Sequence, residues 1–320
     1  LREHPGLQDF VIDLSMSCFL SEVDPAFKPR LTSEAKVFVQ RWKDSRAHAQ
    51  AFEALSQHCA ELLQVEDRLQ GLQYRTLMPI DDFEAIDRKI LSELVREVTA
   101  RTVSAQDVEQ WVRQRRQGHW FDRYQHVYQA VEHAAQFMQA LELTQLEMAS
   151  LADGVHKYTQ SWFLLDQRYR KFIFHARESG QASLLQALSQ QVENLYTNNF
   201  LSHLNVRWQR FVDACQQWDA GPVVSQAHFF ERFVQPYLER KGKVCVLISD
   251  AFRYEVGEEL QSLIRREDRF DAELVPALSC LPSYTQLGMA SLLPHKTLQI
   301  VENDSGEVTI DGISATGTAN

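Results

Sequence analysis

Apolar side chains recur at three- and four-residue spacing through much of the first two thirds of the chain. Phe83, Ile86, Ile90, Leu94 and Val98 form one such stripe, the mark of a helix with a single buried face. Asp81 and Asp82 stand just ahead of it. Carboxylates favour the positive end of a helix dipole, so the helix is expected to start there. Ser104-Ala105-Gln106-Asp107 reads as an N-cap before the next helix, and Leu184, Leu188, Val192 and Leu195 repeat the helical spacing. Between Pro79 and Pro222 there is no proline, and the glycines are Gly118, Gly154, Gly180 and Gly221. Long helices interrupted at those glycines are expected. No repeat of fixed period stands out.

After Gly221-Pro222 the pattern changes. Phe229, Phe230, Phe233, Val234 and Tyr237 predict one more amphipathic helix. Val244-Cys245-Val246-Leu247-Ile248 is a continuous apolar, β-branched run, the kind buried on both faces of a parallel sheet. A helical pattern over 254–265, a strand at 272–275, a helix at 283–293 and a strand at 297–301 follow. This β-α-β-α-β order is the beginning of an open α/β domain. The expected division is therefore an α-helical region, 1–222, and the first part of an α/β domain, 223–320. The polar stretch ending in Thr318-Ala319-Asn320 is too short to complete a sheet, so the domain is expected to be cut off.

Composition narrows the class. With 320 residues, 44% hydrophobic and 24% charged, the chain has material for a sizeable core and is not of disordered type. The formal net charge is −10, which disfavours a protein that coats DNA non-specifically while leaving room for a local basic groove. Cys18, Cys59, Cys215, Cys245 and Cys280 are dispersed without a CxxC pair. That fits reduced thiols in the cytoplasm better than a disulfide framework or a thiolate zinc site. Cys245 is expected to be buried in its strand, and Cys280 has no ligand partner nearby. No apolar run is long enough for a membrane span, so no membrane association is expected. The chain starts at Leu1, so a targeting peptide cannot be tested.

In open α/β sheets, ligands sit beyond the carboxyl ends of the strands. Asp250 lies at that place, after Ile248 and Ser249. One reading makes it the cap of a helix beginning near Arg253; the other gives it a ligand or catalytic role. Ser283 with Gln286 three residues later is a capping-box pattern. It would place Thr285 in the first turn of a helix, where its hydroxyl is either incidental or a nucleophile that needs a base or a metal to ionise it. Arg253 and Tyr254 can touch a phosphate or face solvent. His295, after Leu293-Pro294, is a site residue or a helix-end residue. Asp311-Gly312 reads most simply as a turn.

Taken together, Ile248-Ser249-Asp250-Ala251-Phe252-Arg253-Tyr254-Glu255, then Leu281-Pro282-Ser283-Tyr284-Thr285-Gln286-Leu287-Gly288-Met289 and Leu292-Leu293-Pro294-His295, resemble the opening of the PglZ family. Val308-Thr309-Ile310-Asp311-Gly312 with Thr316-Gly317-Thr318 resembles the segment that follows. The motifs cover about residues 243–320; upstream the likeness is of architecture. The resemblance implies an alkaline-phosphatase-like fold and a metal-dependent phosphoesterase of a BREX anti-phage defence system. It places Asp250 as a metal ligand and Thr285 as the nucleophile, also touching metal. Arg253, Ser283 and His295 are candidate substrate contacts. Two divalent cations, commonly zinc, are implied, with their remaining Asp and His ligands expected after residue 320. The 320 residues alone are thus expected to bind metal weakly and to be catalytically incomplete.

Other BREX proteins, such as the DNA methyltransferase or small accessory subunits, are the implied partners, with DNA or a nucleotide as a possible substrate. A non-catalytic scaffold that recruits defence proteins through its helices is the alternative. A weaker third option is a nucleic-acid adaptor. It would use Trp111, Arg113, Arg115, Arg116, His119, Trp120 and Arg123, and the group Arg168, Tyr169, Arg170 and Lys171. The simpler account of those groups is a solvated helical face with aromatics packed inward. All six tryptophans, Trp42 to Trp218, lie in the helical region, which gives it a core of its own or a wide docking surface.

Overall fold

The chain is described by a computed structural model covering residues 6–24, 26–27, 33–301 and 306–315. Along it run α1 (Leu7–Val23), α2 (Ser33–Lys43), α3 (Ala49–Leu62), α4 (Val65–Leu69), α5 (Glu84–Ala100), α6 (Ala105–Arg115) and α7 (Phe121–Leu143). Then come α8 (Leu151–Lys157), α9 (Phe163–Glu178), α10 (Ala182–Asn194), α11 (Ser202–Ala214), α12 (Gln235–Glu239), α13 (Tyr254–Ile264) and α14 (Thr285–Ser291). The strands are short: β1 (Val224–Ser225), β2 (Ala277–Leu278), β3 (Leu298–Ile300), β4 (Val308–Ile310) and β5 (Ile313–Ser314). A mainly α region thus precedes all of the described strands, as the sequence pattern predicts. Two compact units emerge, Leu1–Leu143 with Arg168–Tyr196, and Thr144–Gln167 with Thr197–Asn320. They do not follow the 222/223 division, which concerns where the α/β sequence pattern starts.

In the first unit the predicted stripe of α5 forms the core: Ile86, Ile90, Leu94 and Val98 are buried. The Ser104 hydroxyl accepts from the Asp107 amide at 3.1 Å and caps α6 as expected. Asp81 and Asp82 do not start α5, whose N-cap is Phe83. Both carboxylates instead hold the buried Lys43 ammonium, Asp82 at 3.3 Å, and Asp81 also accepts from the His119 amide at 2.8 Å. A buried ammonium needs such acceptors more than a helix end needs a dipole partner.

The deepest polar contact is Arg115. Its guanidinium pairs with Asp87, both side chains being within 1% of full burial, and also donates to the carbonyls of Met78 at 3.0 Å and Ile80 at 2.7 Å. Tyr128 donates to the same carboxylate at 2.6 Å. One side chain therefore ties α5, α6, α7 and the loop before α5 together.

Not every glycine breaks a helix. Gly180 has a φ of +62° and separates α9 from α10. Gly154, by contrast, lies inside α8, where a Cβ would come within 3.0 Å of the Trp208 ring. Close packing requires it there.

The second unit departs further from expectation. Val244–Ile248 forms no ladder among the described residues, and Leu247 is 92% exposed. Cys245 is exposed rather than buried. A strand with two apolar faces becomes a buried strand only when neighbours satisfy its backbone groups and cover its side chains; none of the described segments does so. The strand expected at 272–275 is also unpaired, and parallel pairing falls on β1 with β2, Val224 opposite Ala277. The 297–301 prediction survives as β3, in an antiparallel order β3-β4-β5. The helix predicted over 229–237 is present, π-helical over Phe230–Val234 and continuing as α12. Pro236 lies in the first turn of α12, where it has no N–H to give to the preceding turn.

Two small apolar clusters hold this unit. One joins Leu151, Ala220 and Leu278 to Trp208 and Trp218; the other joins Leu287, Ala290 and Val308 to Tyr284 and Ile310. No helix among the described residues is long and apolar enough to cross a membrane. Thr316-Gly317-Thr318 lies outside the described residues.

Two predictions follow from the first unit. Arg115→Met strands Asp87 in the core and is expected to lower unfolding stability by about 3–5 kcal/mol. The Arg115→Met/Asp87→Leu double variant should lose less than the two single changes added together. Denaturant titration checks both.

The second prediction concerns pH. His133 is pushed down to about 3 and His175 to about 4, in each case first by burial. Their neutral forms are favoured in the fold, so their contribution is complete above the unfolded value of about 6.5 and is lost as pH falls from there toward 4. His133→Phe should flatten the loss of unfolding free energy between pH 7 and pH 5; an unchanged slope would contradict the assignment.

Candidate functional site

The site begins with a sharp turn. Residues 244–249 form neither helix nor ladder, Asp250 opens a turn, and Ala251 adopts a left-handed φ of +52°. That conformation is disfavoured for a residue with a Cβ and marks sites where the surrounding structure holds the backbone. After it, Arg253 is the N-cap residue of α13, with no side chain capping the helix. The Asp250 carboxylate accepts only from the adjacent Ala251 amide at 3.0 Å on the backbone side. It does not cap α13, so the capping reading of Asp250 is set aside.

Thirty-five residues later the chain returns to the same place. Thr285 is the first residue of α14, whose N-cap is Tyr284 rather than Ser283. The capping box expected of Ser283 and Gln286 does not form; the N-cap residue Tyr284 caps nothing with its side chain and is anchored elsewhere, its ring on the Leu287–Val308 cluster and its hydroxyl donating to the Gly306 carbonyl at 2.8 Å. The Thr285 hydroxyl donates to Asp250 Oδ2 at 3.4 Å, and both residues are exposed. The fold thus brings together the two residues singled out from the sequence.

The other candidates divide. Arg253 is close by in the chain and lines a cavity of about 840 Å³ with Ser249, Phe252 and Tyr254. Ser283 is exposed and caps nothing. His295 turns back on its own segment, its Nδ1 2.7 Å from the Leu293 carbonyl. Asp311 makes the turn expected of it and accepts from the amides of Lys296 and Thr297 at 2.9 and 2.7 Å.

Beneath α13 lies a polar layer that the sequence does not announce. Glu255 has no exposed side-chain surface and accepts from Arg253 Nη2 at 3.0 Å. The Gln167 amide donates to the Glu255 carbonyl at 3.1 Å and to Glu258 at 2.8 Å. Tyr158 donates to Asp166 at 2.6 Å; burial first, then that carboxylate, raises the phenol far above its ordinary range. The Tyr254 ring packs edge-on against Phe163 at 5.5 Å. Glu255 in the first turn of a helix is ordinary for the dipole, and Gln167, which ties that turn, lies nearly ninety residues earlier, so no local pattern could have revealed the layer.

Two oxygen donors 3.4 Å apart, one a carboxylate, have the hard character that a divalent cation takes. Among the described residues no group of three or more His, Cys, Asp or Glu side chains is placed to hold a metal. Asp250 and Thr285 therefore fit one edge of a cation site. In the first basic and aromatic group of the helical region several cations are paired: Arg113 with Glu109 at 2.8 Å, Arg116 with Glu132 and Arg123 with Glu84 at 3.0 Å. Arg115 and Trp120 are buried.

Comparison with known proteins adds the following. Residues 229–320 match the profile of the BREX system PglZ alkaline phosphatase-like domain. Over 290 residues the chain is 29% identical to the alkaline phosphatase-like protein PglZ of Bacillus cereus (strain H3081.97), covering 89% of this chain and 34% of that protein. Over 351 aligned positions it is 30% identical to the alkaline phosphatase-like protein BrxZ of Escherichia coli O9:H4 (strain HS), covering 99% of this chain and 40% of that protein. The chain thus spans between a third and two fifths of the length of these curated relatives. No solved structure matches.

Proposed function

We propose that the chain is a PglZ-family protein, as its likeness to PglZ and BrxZ supports, and that it carries the first metal ligand and the nucleophile of a phosphoesterase acting in a BREX anti-phage system. The observation that carries this reading is the 3.4 Å contact between the Thr285 hydroxyl and Asp250. Residues far apart in sequence, each of the type the chemistry needs, meet on exposed surface where a substrate can reach them. A structural threonine has no need of that carboxylate.

In this reading the chain's own groups act as follows. Asp250, held at the turn by the left-handed Ala251, fixes the Thr285 hydroxyl and aims its oxygen outward. Thr285 Oγ1 bonds to phosphorus as the bond to the ester oxygen breaks; its proton, already donated toward Asp250, passes by way of that carboxylate to the departing ester oxygen, which leaves as the alcohol. The phosphoryl group rests on Thr285 until water adds to phosphorus, restoring the Thr285 hydroxyl and releasing phosphate from a monoester or a phosphomonoester from a diester. A divalent cation, zinc or another, when bound to Asp250 and Thr285, lowers the hydroxyl pKa and stabilises charge on the phosphoryl oxygens. Further ligands, the 223–320 domain assignment, cytoplasmic location and docking to other BREX proteins, such as the methyltransferase, belong to the same proposal. A DNA or nucleotide ester is the substrate class it offers.

The test uses the 320-residue chain and a longer version in which it is joined to the remainder of the Bacillus cereus PglZ sequence, with 4-nitrophenyl phosphate and bis(4-nitrophenyl) phosphate and with zinc or manganese present. The longer protein should turn over one of them, Thr285→Ala should remove at least about a hundredfold of that rate, and Asp250→Asn should raise the metal concentration required. Mass spectrometry should trap phosphate on Thr285. The 320-residue chain alone should show no turnover. Turnover indifferent to Thr285→Ala would overturn the nucleophile, and robust turnover by the 320-residue chain would overturn the need for ligands besides Asp250 and Thr285.

A further inference from the structure

Three residues past Asp250 the chain places an arginine in an arrangement that packing alone does not require. The Arg253 side chain is 54% exposed, yet its Nη2 donates to a carboxylate with no exposed surface at all. Ion pairs between two exposed, mobile side chains contribute little and hold no geometry. Burying one partner is costly and is tolerated when the pair is fixed by its surroundings. Here they do fix it. Glu255 sits in the first turn of α13, Gln167 ties that turn through the Glu255 carbonyl and Glu258, and the Tyr254 ring between the pair's two residues is packed on Phe163. A guanidinium has five N–H donors in a planar fork. Among the described contacts only one nitrogen is engaged, and the side chain lines the cavity that also includes Ser249, the neighbour of Asp250.

We infer that Arg253 anchors the phosphoryl oxygens of the substrate and that Glu255 is the positioning residue that aims its guanidinium. Planar paired donors match two oxygens of one phosphate. The inference rests on the phosphoester reading of Asp250 and Thr285 and adds to it the group that recognises the anion. It also fits the chain's formal net charge of −10, since a net-acidic protein needs a fixed local cation to hold an anion.

The experiment measures anion binding without catalysis. The 320-residue chain, in a chelator, is treated with the arginine reagent phenylglyoxal at rising concentrations of inorganic phosphate, and modification is followed residue by residue by mass spectrometry. Phosphate should slow modification of Arg253 but not of the exposed Arg266. Glu255→Gln should raise the phosphate concentration needed by about tenfold, the loss of roughly one charge-assisted hydrogen bond, and Glu255→Asp should restore part of it. A glutamate that only neutralised the arginine would give the opposite sign, so an equal or lower phosphate requirement in Glu255→Gln overturns the positioning role.

If Glu255→Gln fails to fold by circular dichroism, the unsubstituted chain still decides. Equal slowing at Arg253 and Arg266, or none, overturns the anchor. Because the chelator removes catalysis, a failure here leaves the Thr285 turnover test standing. Protection of Arg253 beside turnover indifferent to Thr285 would instead sink the nucleophile and keep the anchor.

Discussion

A carboxylate and an alcohol can serve one cation only if the backbone delivers both to the same few ångströms, and that delivery is the constraint on which the functional site depends. Two separate devices meet it. On one side the left-handed Ala251 turns the segment before it abruptly into the approach to α13, leaving Asp250 at the corner. On the other, Tyr284 is pinned by its ring and hydroxyl at the start of α14, next to Thr285. Each device costs something locally, a disfavoured φ in one case and an immobilised phenol in the other. Together they bring the hydroxyl within 3.4 Å of the carboxylate. Because both side chains remain exposed, water screens the contact, and the geometry rather than the strength of the hydrogen bond is what matters.

Both compact units bury polar groups, and the second also leaves a run of apolar ones outside. In the first, demanding polar groups are taken inside and matched: Arg115 with Asp87 and two carbonyls, Lys43 with two carboxylates. Such arrangements add little net stability over apolar packing, but removing one member is severe, so they fix a single arrangement of helices. In the second, apolar groups are left outside. Val246, Leu247 and Ile248 of the central run, and Leu260 and Leu263 of α13, are exposed. Contiguous exposed apolar surface on a folded domain marks a place where something else packs.

How much of this could be read from residue order follows from the range of the interactions involved. The stripe of α5 and the Ser104 cap are local, set by residues within one or two turns, and both are present as expected. The Val244–Ile248 run was recognisable as strand-like, but its ladder depends on partners no local pattern can supply, and it lies unpaired among the described residues. Asp81 and Asp82 look like helix-start residues until Lys43, nearly forty positions earlier, claims them. At the site, Asp250 and Thr285 stand out because strand ends and first helical turns are recurrent places for chemistry. The capping box expected of Ser283 does not form, and the N-cap residue Tyr284 is held by a tertiary contact instead. Glu255 gave no signal, since an acidic residue in a first turn is unremarkable until its burial is seen.

Charge sets the last condition on the site. The chain carries a formal net charge of −10, and a phosphoester is itself an anion, so the overall field opposes the substrate this fold is proposed to take. Over distances beyond about 8–10 Å that field is screened at physiological salt, and what decides binding is the charge within the last few ångströms. Asp250 makes the local balance worse. It must be offset by positive charge that stays in place when the substrate arrives, because a lysine or arginine free to swing would lose entropy on every encounter. A cation resting on Asp250 supplies one such charge. Arg253, held from below by a carboxylate that solvent cannot reach, is proposed as the protein's own, its buried partner keeping the guanidinium aimed.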